Sequence, residues 1–168
     1  KQFIQENVLY QQFQQLANIH TRQYFEKEAN SSDYESFLIN IGNPGNPFEN
    51  TEWYKNAQQD AKNRNYFHWQ LEFPKVFFGE QNGFDAVIGN PPWIDVKGLE
   101  NAEMIFDFYD TSFNRVNIYS AFIEKSGNLL SVKSKLGFIT PNSFMTQSSY
   151  KRLREYISSN FGIDEFVR

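Results

Sequence analysis

The sequence predicts an α/β protein, a mainly parallel sheet flanked by helices, with a helical region in front of it. Three observations predict it. Apolar runs at 84–89, 136–140 and 163–167 alternate with amphipathic stretches of helical length, which is the order of an α/β sheet. Connections of that length favour parallel pairing through right-handed crossovers. Residues 1–28 contain neither glycine nor proline and are dominated by Gln, Glu and Lys, as a helix prefers.

In that first helix Phe3, Tyr10, Phe13, Leu16 and Ala17 fall largely on one face, extended by His20 and Tyr24, so the helix is expected to pack by that face. His20 reads as a helix-surface or boundary residue. Asn30-Ser31-Ser32-Asp33 is a break and a cap, with a short helix from Tyr34 to Ile39 after it. Gly42-Asn43-Pro44-Gly45-Asn46-Pro47 is the clearest loop. It lacks the Lys-Ser/Thr and the preceding strand that a phosphate loop needs. Asn50-Thr51-Glu52 caps a helix through Lys62 or Arg64. His68 to Phe73 reads as a strand or extended run ending at Pro74. The turn Gly79-Glu80-Gln81-Asn82-Gly83 delivers the chain into the run Phe84-Asp85-Ala86-Val87-Ile88-Gly89.

Beyond that run, Leu99 to Tyr109 is expected to be helical. Phe106, Phe108, Tyr109 and Phe113 make this segment aromatic, and packing on the core is its expected role. Asn117 to Leu130 is an amphipathic helix with Ile118, Phe122, Ile123, Leu129 and Leu130 as its apolar set. Lys133-Ser134-Lys135 marks a turn before the strand Leu136–Thr140. Ser148 or Ser149 caps a helix through Ser158 that carries Lys151, Arg152 and Arg154 on its surface. Phe161-Gly162 ends it, and the third strand begins at Ile163. Two regions follow from this layout, residues 1–65 and residues 66–168.

The chain has 168 residues, with 18 Phe and 9 Tyr, enough to fill the core of one domain. Mean hydropathy is −0.62, and no apolar run has the length of a bilayer span, so no membrane partner is expected. There is no cysteine, which removes disulfides, thiolate chemistry and cysteine metal sites and fits a reducing, cytoplasmic setting. With His20 and His68 the only histidines, no metal site is expected.

The chemistry-bearing stretch is Gly89-Asn90-Pro91-Pro92-Trp93. Gly89 ends the strand and permits close approach of a ligand to the backbone. Pro91 pushes Asn90 toward an extended conformation, and neither proline has an N–H to compete for a ligand. An aromatic amine is a poor nucleophile because its lone pair is delocalised into the ring. The Asn90 side-chain oxygen and the Pro91 carbonyl could accept its two hydrogens and localise that lone pair. Trp93 offers a flat face on which a base could stack. Asp85 begins the strand, and a structural role, bonding to loop backbone, is expected of it.

Gly-Asn-Pro-Pro-Trp at a strand end resembles motif IV of the amino-methyltransferases that use S-adenosylmethionine. More narrowly, it is similar to the large N6-adenine DNA methyltransferases of type IIG restriction–modification and related phage-defence systems. His68-Trp69-Gln70-Leu71-Glu72-Phe73-Pro74-Lys75-Val76-Phe77 resembles the segment leading into motif IV there. Asn117-Ile118-Tyr119-Ser120-Ala121-Phe122-Ile123-Glu124-Lys125 resembles the helix after it. Leu136-Gly137-Phe138-Ile139-Thr140-Pro141-Asn142-Ser143-Phe144 resembles the next strand and its loop. One departure is Trp93, where Tyr or Phe is usual.

The resemblance implies part of a Rossmann-like methyltransferase fold and transfer of a methyl group from S-adenosylmethionine to N6 of a flipped adenine in double-stranded DNA. Asn90, Pro91, Pro92 and Trp93 would be its catalytic corner. Trp93, Asn142 and Phe144 would contact the base, with Asp85 and Gly89 as neighbours of the cofactor. RNA bases or a protein glutamine remain alternative acceptors, and a catalytically silent DNA-binding or assembly module is the alternative from another class. No Gly-rich cofactor loop can be found, and a net charge of −4 is unfavourable for DNA binding. Residues 66–168 therefore read as the catalytic-loop half of a methyltransferase domain, truncated at both ends and inactive by itself. A target recognition domain and a fused or separate nuclease are the partners the resemblance implies.

Overall fold

The computed structural model describes residues 7–25, 31–43, 46–99, 102–113 and 116–166. The chain divides into two compact units, 1–75 and 76–168. Phe3, Asn30, Pro44, Gly45 and Val167, all used in the expectations above, lie outside the described residues.

The first unit is helical. Helix α1 (Val8–Arg22) starts where the Asn7 side chain accepts from the Leu9 N–H at 2.9 Å, a short polar cap for otherwise unpaired donors. It is followed by α2 (Ser31–Ile39), a 3-10 turn at Pro47–Asn50, α3 (Glu52–Asn63) and the helical turn α4 (Trp69–Glu72), and the short α5 (Pro74–Phe77) runs across the boundary of the two units. Leu16, Ile19, Phe37, Tyr54 and Ala57 form its core. The α1 face that is buried runs through Gln12, Leu16 and Ile19. The expected face is therefore rotated, and Phe13 stays 42% exposed, because polar residues take core positions here. Buried Gln12 donates to the Asn43 carbonyl at 3.0 Å and accepts from the Gly42 N–H at 2.6 Å, tying the loop to α1. Arg22 pairs with Asp60 and donates to the Asn56 carbonyl, and Gln58 bonds Asn18 and the Gln15 carbonyl, so α1 and α3 are stitched by side chains.

The run His68–Phe73 forms helix α4, where a strand or extended run was expected. Trp69 stacks on Phe73 at 6.0 Å, four residues along, a spacing that brings side chains together on a helix. His68 Nε2 donates to Asn18 Oδ1 at 2.7 Å.

In the second unit β1 (Phe84–Gly89) pairs in parallel with β2 (Leu130–Phe138). Between them lie a 3-10 turn at Val96–Gly98, α6 (Ala102–Phe108) and α7 (Tyr119–Leu129), and α8 (Lys151–Asn160) follows. β2 begins earlier than expected and absorbs the predicted turn as a bulge. Phe84 faces Leu130 while Ala86 faces Lys135, and Lys133 sits at φ 67°, so the extra residues loop out of an otherwise continuous ladder. The α7 surface also differs from expectation. Tyr119, Ser120, Ala121 and Ile123 are buried, whereas Phe122 is 42% exposed. No side chain caps α8; a 3-10 turn at Ser148–Tyr150 leads into it instead.

Residues 163–166 form no strand. The described sheet has two parallel strands rather than the three expected, and Lys135–Asp164, an exposed ion pair at 2.6 Å, is the described link from β2 to that segment. One face of the sheet is open, with Ile88 84% and Val132 89% exposed, although parallel sheets are usually covered on both faces. The core lies on the other side: Val96, Val116, Tyr119, Ile123, Phe144, Tyr150 and Leu153, with Leu136, Phe138 and Phe106 packed against it.

Gly83, at the entry to β1, lies so close to the start of β2 that a Cβ would meet Leu130 C and Ser131 N at 2.6 Å. Backbone cannot yield as a side chain does. Gly83→Ala is expected to destabilise the second unit by about 1–3 kcal/mol, the usual cost of overpacking, read as a lower urea midpoint with faster amide exchange along β1.

In the first unit burial holds the His68 imidazole below its ordinary pKa of 6.5, with His20 adding to the depression and Glu72 opposing it. The unfolded chain therefore takes up this proton first as pH falls. The stability that His68 contributes is complete above about 6.5 and is lost as pH drops through the depressed native value. Urea unfolding of the first unit, followed by circular dichroism across that range, should show this loss, and His68→Gln should flatten it.

Candidate functional site at the carboxyl end of the sheet

Parallel pairing brings two loops to one edge. β1 ends at Gly89 opposite Phe138, the last residue of β2, and the Ile139 N–H continues the ladder to the Gly89 carbonyl at 3.1 Å. Asn90 therefore leaves β1 beside the point where Ile139 to Asn142 leave β2. Open α/β sheets place ligands outside the carboxyl ends of their strands.

The corner 90–93 is held at both ends. On its β1 side is the Gly89–Ile139 bond. On its far side the chain makes an antiparallel bridge, Asp95 opposite Asn117. The Val96 N–H donates to the Val116 carbonyl at 3.0 Å, and the Ile118 N–H donates to the Ile94 carbonyl at 2.8 Å. Val96 is fully buried, and Asp95 caps the next turn by accepting from the Lys97 N–H at 2.9 Å. Four residues are thus stretched between two fixed backbone points.

Within that span Pro91 is buried, and Asn90, Pro92 and Trp93 are exposed. Neither the Asn90 amide nor the Pro91 carbonyl takes part in a hydrogen bond among the described residues. Trp93 is 55% exposed and stacks on no described ring. An acceptor pair is therefore left without a described hydrogen bond and an indole face without a described stack, the groups a planar amine ligand would use. Asp85 is exposed and makes no described hydrogen bond, so the expected bond to loop backbone is not formed. A Cβ on Gly89 would stand 3.3 Å from the Phe138 ring. The glycine there admits the neighbouring strand's side chain.

The second loop is a 3-10 turn, Asn142–Met145. Asn142 is exposed at its start, whereas Phe144 is buried in the core. The Phe144 ring anchors the loop instead of facing open space. Arg154, expected on the helix surface, is half-buried, and its guanidinium donates to the Phe144 and Gln147 carbonyls, both at 2.7 Å. This residue and the pair Asn117–Tyr150 are the supports that the sequence did not disclose. Asn117 donates to the Tyr150 hydroxyl through its backbone N–H at 3.0 Å and its side-chain nitrogen at 3.1 Å. Nothing in the local pattern pairs residues this far apart.

The Tyr150 ring stacks on Tyr119, with centroids 5.5 Å apart and planes 9° from parallel. Burial, then Tyr150, raises the Tyr119 phenol well above its ordinary range. Tyr150 and Ser143 lie within electrostatic reach of that hydroxyl, yet neither makes a well-formed hydrogen bond to it. On α7, Glu124 accepts from the Asp110 and Thr111 N–H groups, and it adds to the burial that raises Tyr109. Arg152 lies 3.8 Å above the Phe113 ring. No cluster of potential metal ligands occurs among the described residues.

Over residues 3–168 the chain matches the family described as Eco57I restriction-modification methylase. It is 30% identical over 153 residues to the putative type II restriction enzyme and methyltransferase RM.MjaORFECS2P of Methanocaldococcus jannaschii, covering 83% of this chain and 12% of that protein. Over 87 residues it is 34% identical to the type II methyltransferase M.BstVI of Geobacillus stearothermophilus, covering 50% and 15%. Over 89 residues it is 28% identical to the type II restriction enzyme and methyltransferase RM.Eco57I of Escherichia coli, covering 50% and 9%. These matches thus span 9% to 15% of the relatives' own lengths. No solved structure matches the chain.

Proposed function

The chain belongs to the Eco57I restriction-modification methylase family, and from that premise we propose that it supplies the acceptor-binding half of a site-specific DNA methyltransferase acting on N6 of adenine. The observation that carries this reading is the free acceptor pair, Asn90 Oδ1 and Pro91 O, at the carboxyl end of β1 on a backbone pinned on both sides. In this reading the target adenine is flipped out of the duplex and stacks on Trp93. Asn90 and Pro91 accept the two N6 hydrogens. As the amine nitrogen gives up its lone pair it gains positive character, and both acceptors then bind it more strongly than in the ground state. In the same reading Asn142, exposed at the same edge, would touch the base or its sugar. No base is needed before attack, because the proton can leave after the new bond has formed.

The methyl donor in this reading is S-adenosylmethionine. Among the described residues no strand precedes β1, so no strand-and-glycine-loop cradle for it is seen ahead of the corner. The glycine-bearing loop at Gly42 is engaged, with its Gly42 N–H and Asn43 carbonyl both bonded to Gln12. Donor binding is therefore assigned to another part of the enzyme, and Asp85 and Gly89 are at most its neighbours. The charge of −4 likewise assigns phosphate contacts to a separate target recognition domain. Two relatives are named as both restriction enzyme and methyltransferase, which supports a fused nuclease. No described helix is long and apolar enough to cross a membrane, and a DNA substrate assigns the enzyme to the cytoplasm.

The test is single-turnover methylation of an adenine-containing duplex by the full-length enzyme, with donor affinity measured separately. Asn90→Ala should slow transfer by about 100- to 1,000-fold, the cost of removing one preorganised group of this kind, and leave donor affinity unchanged. Trp93→Ala should also weaken capture of the base, since stacking is worth roughly 1–3 kcal/mol, while Trp93→Phe, which keeps a π-face, should be mild. Transfer at the wild-type rate by Asn90→Ala would make the corner a structural turn and refute the mechanism.

A further inference from the structure

The corner's far anchor is bonded to a buried tyrosine hydroxyl. Tyr150 is 2% exposed, and its hydroxyl accepts both from the Asn117 backbone N–H and from the Asn117 side chain. The Asn117 carbonyl is occupied as well, accepting from the Ser120 N–H at 3.1 Å and from Ser120 Oγ at 2.9 Å. Its neighbours on both sides make the bonds that clamp the motif, Val116 to Val96 and Ile118 to Ile94. Ile94 directly follows Trp93. A continuous path of bonded groups therefore runs from the Tyr150 hydroxyl through Asn117 to the residue next to the proposed stacking face.

Tyr150 also belongs to the other loop at this edge. Its N–H donates to the Gln147 carbonyl at 3.2 Å, the same carbonyl that Arg154 holds. One residue thus ties the loop after β1 to the loop after β2. The phenol ring is fixed by its stack on Tyr119, so the hydroxyl has little freedom to follow a displaced Asn117. Burial makes the bonds strict, because an N–H that loses its acceptor in such a place pays a desolvation cost and the backbone moves to recover a partner.

We infer that Tyr150 is a positioning residue for methyl transfer: through Asn117 its hydroxyl sets where Trp93, and with it the flipped base, stands relative to Asn90. This rests on the proposed function, but its structural half is testable without activity. The Tyr150→Phe variant removes the hydroxyl and keeps the ring and its stack.

The experiment labels the chain with 5-fluorotryptophan and reads fluorine NMR spectra at a temperature where every variant is folded. Trp53 and Trp69 lie in the other unit and serve as internal controls. Tyr150→Phe should shift and broaden the Trp93 resonance alone. Asn117→Ala should act in the same direction, and the double variant should go no further than Tyr150→Phe, since residues on one path are not additive. Ile123→Val, which loosens the same core without touching the path, should leave Trp93 unmoved. In the full-length enzyme Tyr150→Phe should lower the single-turnover rate by about 10- to 100-fold, as a small misplacement does, with donor affinity within about twofold of wild type. An unmoved Trp93 resonance in Tyr150→Phe, or an equal shift in Ile123→Val, would overturn the inference whatever the Asn90 variants do. A wild-type rate for Tyr150→Phe beside a slow Asn90→Ala would overturn the positioning role and leave the proposed mechanism standing.

Discussion

Parallel pairing of β1 with β2 is the constraint on which the second unit depends. Two strands running the same way must send both following loops to the same edge. That sends the loops that carry Asn90 and Asn142, 52 residues apart in sequence, to one edge. The pairing also requires a crossover, and α7 supplies its last leg. α7 passes directly into β2 at Leu129–Leu130, so its buried face must fit the sheet and the core at once. Gly83 marks how tight the result is, since the turn into β1 rests on the backbone at the start of β2. The corner after β1 therefore has a fixed origin, and the Asp95–Asn117 bridge gives it a fixed end. In the proposed mechanism, preorganisation of this kind would let two neutral acceptors act on an amine without reorganising during the reaction.

The sequence made β1 and its corner legible because they are local. β-branched and aromatic residues end at a glycine, and two prolines forbid a helix beyond it. The bulk of α1, α3, α7 and α8 was legible from periodicity for the same reason. The errors occurred where tertiary contact overrode local pattern. His68–Phe73 has strand-like alternation, but Trp69 and Phe73 meet across one helical turn. Lys133-Ser134-Lys135 looks like a turn between elements, yet the ladder carries it as a bulge. Residues 163–166 have the composition of a strand and no described partner to pair with. The supports of the site were the least legible. Tyr150 and Asn117 are 33 residues apart, and a buried tyrosine beside a helix reads as ordinary core until its hydroxyl is seen to be shared.

The two units solve the problem of packing in different ways. The first joins its helices with buried amides and an ion pair, Gln12, Asn46 and Arg22–Asp60, around a small apolar centre. The second concentrates its aromatic and branched residues on one side of a two-stranded sheet and leaves Ile88 and Val132 bare on the other. An uncovered parallel sheet is unusual, and the matches to two relatives cover only 12% and 15% of their own lengths.

The proposed mechanism requires an exocyclic amine as the acceptor. Its most direct measurement is nucleoside mass spectrometry of DNA methylated by the full-length enzyme with isotopically labelled S-adenosylmethionine. The proposed function, with adenine held by the acceptor pair at Asn90 and Pro91, predicts label in N6-methyladenine. Label in 5-methylcytosine would contradict it, because methylation at a ring carbon calls for a covalent nucleophile, and neither an acceptor pair for an amine nor this cysteine-free chain would supply a thiolate.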